Sequence, residues 1–375
     1  MNKIKLVIAS LLFVSGIFAQ KSVTVSNSSD LDRKGEIVEV KACCNKSCII
    51  TKSVVLKNEK GEEVPYQLTF NDKKEIQGLI FQADVKAKSK ATYMLTEGTP
   101  SPVVAKTFGR FVPERKDDFA WENDMCAYRM YGPALAKENP SNGVDMWIKC
   151  TDELVVDQRY TDELKNGLSY HINRGKGLDC YTVGHTLGVG GISPYADGKL
   201  WVGNHFDRYK VLENGPLRTI FTLSYDSVKV GNSFYTQTLT ITTVAGSILN
   251  KAVVTYNGPA QNMELASGIF LHDGQGILKQ NISNGTSAYA EEAISNAKVR
   301  EGRNYIGVYF PAKVNDARKE GQHALILSSY KVGQSFTYYF GGGWDKWKYP
   351  TDADWFKAVE EFAARTKNPL KVSVK

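Results

Sequence analysis

The chain has 375 residues, 42% of them hydrophobic and 23% charged. That length supports a large buried core, and that composition excludes a disordered or low-complexity protein. The formal net charge of +7 is spread among interleaved acidic residues rather than gathered in a basic stripe, which argues against a nucleic-acid partner and suits an anionic small molecule.

The first element reads as an export signal. "MNKIKLVIASLLFVSGIFAQ" places Lys3 and Lys5 before an apolar run from Leu6, and small residues end it at Ala19. Residues 1–19 are therefore expected to be a cleaved signal peptide, giving a periplasmic or secreted product. The run is too short to cross a bilayer, no later stretch is longer, and no membrane span is expected. Residues 20–98 read as an N-terminal β region, packed on or continuous with a main sandwich. "SVTVSN", "EIVEV", "SVVLKN", "EVPYQLTF" and "GLIFQADV" are strand-like runs separated by turn signals. Within this region "ACCNKSC" holds Cys43, Cys44 and Cys48. They fit one local disulfide, such as Cys44 with Cys48, or free buried thiols, because no nearby His completes a zinc set.

A proline-bearing connector, "GTPSPVVAKTFGRFVPERKDD", leads into residues 99–375, the expected main β-sandwich domain. "AYRMYG" fits a strand, which would put Ala127, Arg129 and Tyr131 on one face. "TDELVVDQRYTDELKNGLSYH" has helical composition, with Thr151 as a candidate N-cap. The stretch "YHINRGKGLDCYTVGHTLGVGG" then carries six glycines among reactive side chains. It contains no phosphate loop, no dinucleotide fingerprint and no nucleophile elbow, so no nucleotide cofactor is expected. Strands return from Lys199. "YTQTLTI" alternates Thr236, Thr238 and Thr240 against Leu239 and Ile241. Near the end, Trp355, Phe356, Val359, Phe362 and Ala363 take the spacing of an amphipathic helix capped by Thr351 and Asp352, and "PLKVSVK" follows as a strand. Many strands, few helices and no βαβ alternation give a mainly β fold, a large antiparallel β-sandwich with a C-terminal helix.

Three groups of residues carry candidate chemistry. Arg129 and Tyr131 form a compact pair, the Arg suited to a carboxylate and the Tyr to a hydroxyl. His171, His185 and His205 fall close together in a His-poor chain, and His205 has Arg208 and Tyr209 beside it; histidine is the natural acid or base at neutral pH. His272 and His323 read as structural. "YYFGGGWDKWKYP" sets Trp344 after three glycines, either as a sugar-stacking wall or as core packing. His171, Asp179, His185 and His205 match no metal-binding spacing, and no metal is expected. A hydrolytic carboxylate pair does not stand out, with Glu122 and Asp124 or Asp145 as its only candidates.

"WENDMCAYRMYGPAL", "SNGVDMW", "YH…GLDCYTVG.TLGVGG", "YKVLENGPLRTIFTLSY" and "FGGGW" together resemble a secreted bacterial family known as domain of unknown function 4861, over nearly all of the mature chain. The resemblance implies a galactose-mutarotase-like supersandwich, a place among polysaccharide-utilisation proteins, and similarity to dehydratases acting on ulvan oligosaccharides. Such an enzyme would remove water from a non-reducing-end uronic acid and leave a 4,5-unsaturated sugar. The implied partner is an anionic oligosaccharide, with a sugar epimerase or mutarotase, or a non-catalytic glycan binder, as the alternatives. The resemblance also implies an acidic residue between Gly175 and Gly177, where this chain has Lys176, a position expected to touch the ligand. Dehydration needs a cation for the substrate carboxylate, a base for the C5 proton and an acid for the C4 hydroxyl. The candidates are Arg129 or Arg208 as cation, His171 or Tyr131 as base, and His205 or Tyr209 as acid. His185, Lys176 and Trp344 are expected to bind substrate.

Overall fold

A computed structural model of the chain describes residues 21–44, 47–48, 50–138, 143–203, 205–272 and 275–375. The expected signal peptide lies outside them, and so do the side chains of Cys43, Cys44 and Cys48. The backbone there forms a two-stranded hairpin with Cys43 opposite Cys48. Among the described residues no helix is long and apolar enough to cross a membrane.

The main body is a large antiparallel β-sandwich. One layer is an eight-stranded sheet built from residues 208–344, ending in the strand Phe336–Trp344. Facing it are two five-stranded sheets. The first contains Thr107–Val112, Asp118–Asn123, Cys126–Met130, Val144–Lys149 and Gly177–Asp179; the second is centred on Val189–Ala196, Asn262–Phe270 and His323–Lys331. A parallel bridge between Val144 and Gly188 joins these two sheets. Phe119, Trp121, Tyr128, Met146, Phe221, Ile241 and Phe340, drawn from both layers, are buried in one continuous core. The strand Ser233–Val244 shows the expected alternation, with Leu239 and Ile241 buried and Thr236 and Thr238 facing solvent.

The N-terminal strands form a four-stranded and a three-stranded sheet that share a second core, including Val23, Val40, Leu56, Phe81 and Leu95. The final strand, Lys371–Val374, pairs with Lys21–Ser26 and so joins the N-terminal sheet. Before it, helix α2, Asp352–Lys367, buries Trp355, Phe356, Val359 and Ala363, and the Thr351 side chain accepts the Asp354 N–H as its cap.

Helix α1 runs from Val156 to Asn166, so Thr151 is not its cap; the Thr151 hydroxyl accepts instead from the Glu153 N–H. The helix start is capped from a distant strand. Glu122 accepts the N–H groups of Val155 and Val156 at 2.8 Å, and Lys149 Nζ donates to it at 2.7 Å. Both Glu122 and Lys149 are inaccessible to solvent. Glu122→Ala should therefore lower stability by about 3–5 kcal/mol, because it strands a buried ammonium and two helix N–H groups. Urea unfolding checks this, and a loss below 1 kcal/mol would contradict the capping role.

The glycines of "FGGGW" serve packing. A Cβ on Gly342 would sit 2.3 Å from Met146 Sδ, while the Gly342 N–H donates to the Tyr128 hydroxyl at 3.0 Å. The two layers can approach this closely only without a side chain there. Trp344, next in sequence, is 1% exposed and donates its indole N–H to the Glu301 carbonyl. It is a core residue and offers no ring face to a sugar.

Candidate active site

Alternation along the first five-stranded sheet explains the site. Phe119, Trp121, Tyr128, Met130, Met146 and Ile148 point into the main core. The opposite face carries Asp118, Ala120 and Glu122 on one strand, Ala127 and Arg129 on the next, and Asp145, Trp147 and Lys149 on the third. Helix α1 and the following loop cover this face, so every one of these side chains is buried. Gly177 lets the loop re-enter the sheet, with φ at +99° and no room for a side chain: a Cβ there would lie 2.0 Å from the Ile148 carbonyl oxygen.

Arg129 is the hub. Its Nε donates to Asp145 Oδ2 at 2.8 Å, one terminal nitrogen lies 3.1 Å from Asp179 Oδ2, and the other lies 3.2 Å from the Tyr170 hydroxyl and 3.5 Å from Asp118 Oδ2. The pairing with Asp145 is a direct cross-strand register contact. Its guanidinium also lies against the rings of Tyr131, Trp147 and Tyr170, at 4.9, 5.2 and 5.6 Å. One cation faces three carboxylates in a dry environment. Burial accordingly raises the Asp118 carboxyl to about 6, against the pull of Arg129, and pushes Asp179 well above the usual carboxylate range. Burial, reinforced by Asp145, likewise lifts the Tyr131 phenol well above its ordinary value, which keeps it protonated.

The Asp118 shift has a consequence for stability. Its native pKa exceeds its unfolded value, so the folded state binds the extra proton, and stability falls as pH rises from about 4 to about 6. The span amounts to about 3 kcal/mol. Asp118→Asn should flatten this decline: measured by urea unfolding, its effect at pH 7.5 should be more favourable than at pH 4 by up to about 3 kcal/mol. An identical effect at both values would show that Asp118 is not the group titrating.

A cleft of about 430 Å³ opens over one end of this network. Arg115, Arg129, Tyr131, Glu138, His171, the run from Asp179 to Gly184, and Asn296 line it. His171 is about one-third exposed at its side chain. Its Nδ1 lies 3.0 Å from the Asp179 carbonyl oxygen and 3.6 Å from Asp179 Oδ2. The nearer neighbour is a carbonyl oxygen, which can only accept, so Nδ1 carries the proton in the neutral ring and Nε2 keeps its lone pair. His272 braces the opposite wall, its two ring nitrogens within 2.7 Å of Glu291 Oε1 and 2.8 Å of the Thr182 carbonyl. That is the structural role its sequence context suggests. Lining the cleft as well is Arg115, which ends the short 3₁₀ turn Pro113–Arg115.

The structure brings Arg129, Tyr131 and His171 together and leaves the other expected site residues elsewhere. His205 is buried and is not among the residues that line the cleft. Tyr209 stacks on Phe111 at 4.5 Å, and its neighbour Arg208 forms an exposed two-pronged pair with Asp226. Tyr209 and Arg208 begin the edge strand Arg208–Asn214 of the large sheet, which aims them away from the covered face of the smaller sheet. His185 is exposed just beyond Gly184, the last lining residue, and Lys176 reaches out to Glu153. Glu122 and Asp145 are committed to the helix cap and to Arg129, and Asp124 accepts the Gly246 N–H, so they form no hydrolytic pair. Among the described residues no three His, Cys, Asp or Glu side chains gather as a metal site. Sequence reading missed Arg115, Asp118 and Tyr170; for Asp118 the available signal is its two-residue spacing from Ala120 and Glu122 on the covered face.

Residues 25–372 match the family described as a domain of unknown function, DUF4861. The chain belongs to this family. A relative, the uncharacterized protein P7 of Formosa agariphila, is 30% identical over 94% of this chain and 93% of its own length. In three dimensions the chain is similar to a crystal structure of a protein in glycosyl hydrolase family 38 from Enterococcus faecalis, with a TM-score of 0.52 and 8% identity. That likeness covers 95% of this DUF4861 chain but only 47% of the longer one, and it concerns the β-sandwich fold.

Proposed function

We propose that the protein is a carbon–oxygen lyase that dehydrates the non-reducing-end uronic acid of oligosaccharides from an anionic polysaccharide such as ulvan. The observation that carries this reading is the convergence of a partly exposed histidine, fixed in one tautomer by the Asp179 carbonyl, with a protonated tyrosine over an arginine–aspartate network in a single cleft. His171 Nε2 takes the C5 proton of the uronate. Tyr131 is protonated at neutral pH and so is available as acid and not as base: it gives its proton to the departing C4 hydroxyl, and the proton taken by His171 restores it through the water of the cleft. The C5–H and C4–O bonds break, the C4=C5 double bond forms, and one water leaves. Arg129 is a positioning residue here, since its charge is spent on Asp145, Asp179 and Asp118. A carbohydrate role is consistent with the family 38 fold likeness, and the N-terminal segment supports export to the periplasm or beyond. Mass spectrometry of uronate-terminated oligosaccharides incubated with the protein tests the reaction. Loss of one water from the terminal sugar is expected, and unchanged mass together with exchange of anomeric signals in proton NMR would instead indicate an epimerase or mutarotase.

A further inference from the structure

Arg129 cannot supply the cation that a uronate needs, but the cleft holds a second arginine. Among the described residues no carboxylate lies within ion-pair distance of Arg115. Its Nε donates to the Tyr170 hydroxyl at 3.3 Å, while its Nη1 is shielded from water with no hydrogen-bond partner among the described residues. A buried guanidinium nitrogen left without an acceptor is costly, and a carboxylate seated in the cleft that Arg115 lines would supply one once the side chain turns to meet it. The backbone is shaped to hold Arg115 there. Lys116 and Asp117, directly after it, both adopt left-handed conformations at φ +51° and +62°, which non-glycine residues rarely do. Gly132, directly after Tyr131, closes on this turn so tightly that a Cβ would lie 1.8 Å from the Asp117 carbonyl oxygen. One contact therefore sets the positions of Arg115 and Tyr131 relative to each other.

We infer that Arg115 is the carboxylate-binding residue of the cleft, receiving the carboxylate of the substrate's terminal sugar. This rests on the uronate reading above and adds the group that selects the substrate. A planar guanidinium gripping a planar carboxylate also draws charge from it, which acidifies the C5 proton that His171 removes.

The test is an NMR titration of the full chain with sodium glucuronate, methyl glucoside and glucose 6-sulfate, on wild type, Arg115→Gln and Arg115→Lys, with melting curves to confirm folding. Glucuronate should bind wild type, lose tenfold or more in Arg115→Gln and recover in part in Arg115→Lys, while methyl glucoside is unaffected by either change. Equal glucuronate binding by wild type and Arg115→Gln overturns the inference, and so does the absence of glucuronate binding by folded wild type. Glucose 6-sulfate binding as tightly and failing in the same variant would make this a general anion site and overturn the carboxylate assignment. If glucuronate binds through Arg115 but no unsaturated product ever forms, the lyase reading fails and the Arg115 assignment stands.

Discussion

Replacing His171 with glutamine should reduce turnover of a uronate oligosaccharide by about 10²–10⁴-fold, the usual contribution of one general base. The protein should otherwise be unharmed. His171 is about one-third exposed, and its ring hydrogen bond is to a backbone carbonyl that a glutamine amide can also satisfy. Stability should change by no more than about 0.5 kcal/mol, as for most surface substitutions. The loss should fall on kcat rather than KM, because the proton is transferred only in the transition state. Steady-state kinetics beside a melting curve separate the cases: a loss below tenfold in a folded variant would remove His171 from the base role.

Arg129 should behave in the opposite way. Arg129→Met removes the cation that forms ion pairs with Asp118, Asp145 and Asp179, all of them fully or almost fully buried. Breaking a buried ion pair from one side costs about 3–5 kcal/mol, because the carboxylates lose their counter-charge with no water to replace it; the Tyr160 hydroxyl on Asp118 and the Met146 N–H on Asp145 offset only part of that. Urea unfolding should show that loss, smaller at low pH where Asp118 and Asp179 take up protons. Adding Asp145→Asn should restore part of the stability, since the two side chains are coupled and their effects will not add. Arg129→Lys should fall between, keeping the charge but not the fork that reaches two aspartates and Tyr170 together. If Arg129→Met unfolds like wild type, the network is not what holds the cleft floor.

How much of this could be read in advance depends on whether the signal is local. Strand alternation and the period of α2 are local, so the strands, the closing helix and the shared face of Arg129 and Tyr131 are legible in sequence. His171 stands out because it leads a glycine-rich loop. The Arg129–Asp145 pair depends on cross-strand register, and Asp118 and Asp179 join it only through sheet order, which no single stretch reveals. Arg115 sits in "VPERKDD", whose proline and mixed charge read as a linker, although its two left-handed residues make it a fixed turn. Helix α1 misled in the same way: Thr151 is a good capping residue by type, but a glutamate from a neighbouring strand performs that task. His205, Arg208 and Tyr209 are close to His171 in sequence, yet they are not among the residues that line the cleft.

The most direct test of the central claim is ultraviolet absorbance followed over time while uronate-terminated oligosaccharides are incubated with wild type and with His171→Gln. Dehydration by the His171 cleft predicts a growing band from the conjugated enol-uronate with wild type and almost none with the variant. A band growing at the same rate in both, or no band with any uronate-terminated oligosaccharide, would contradict it.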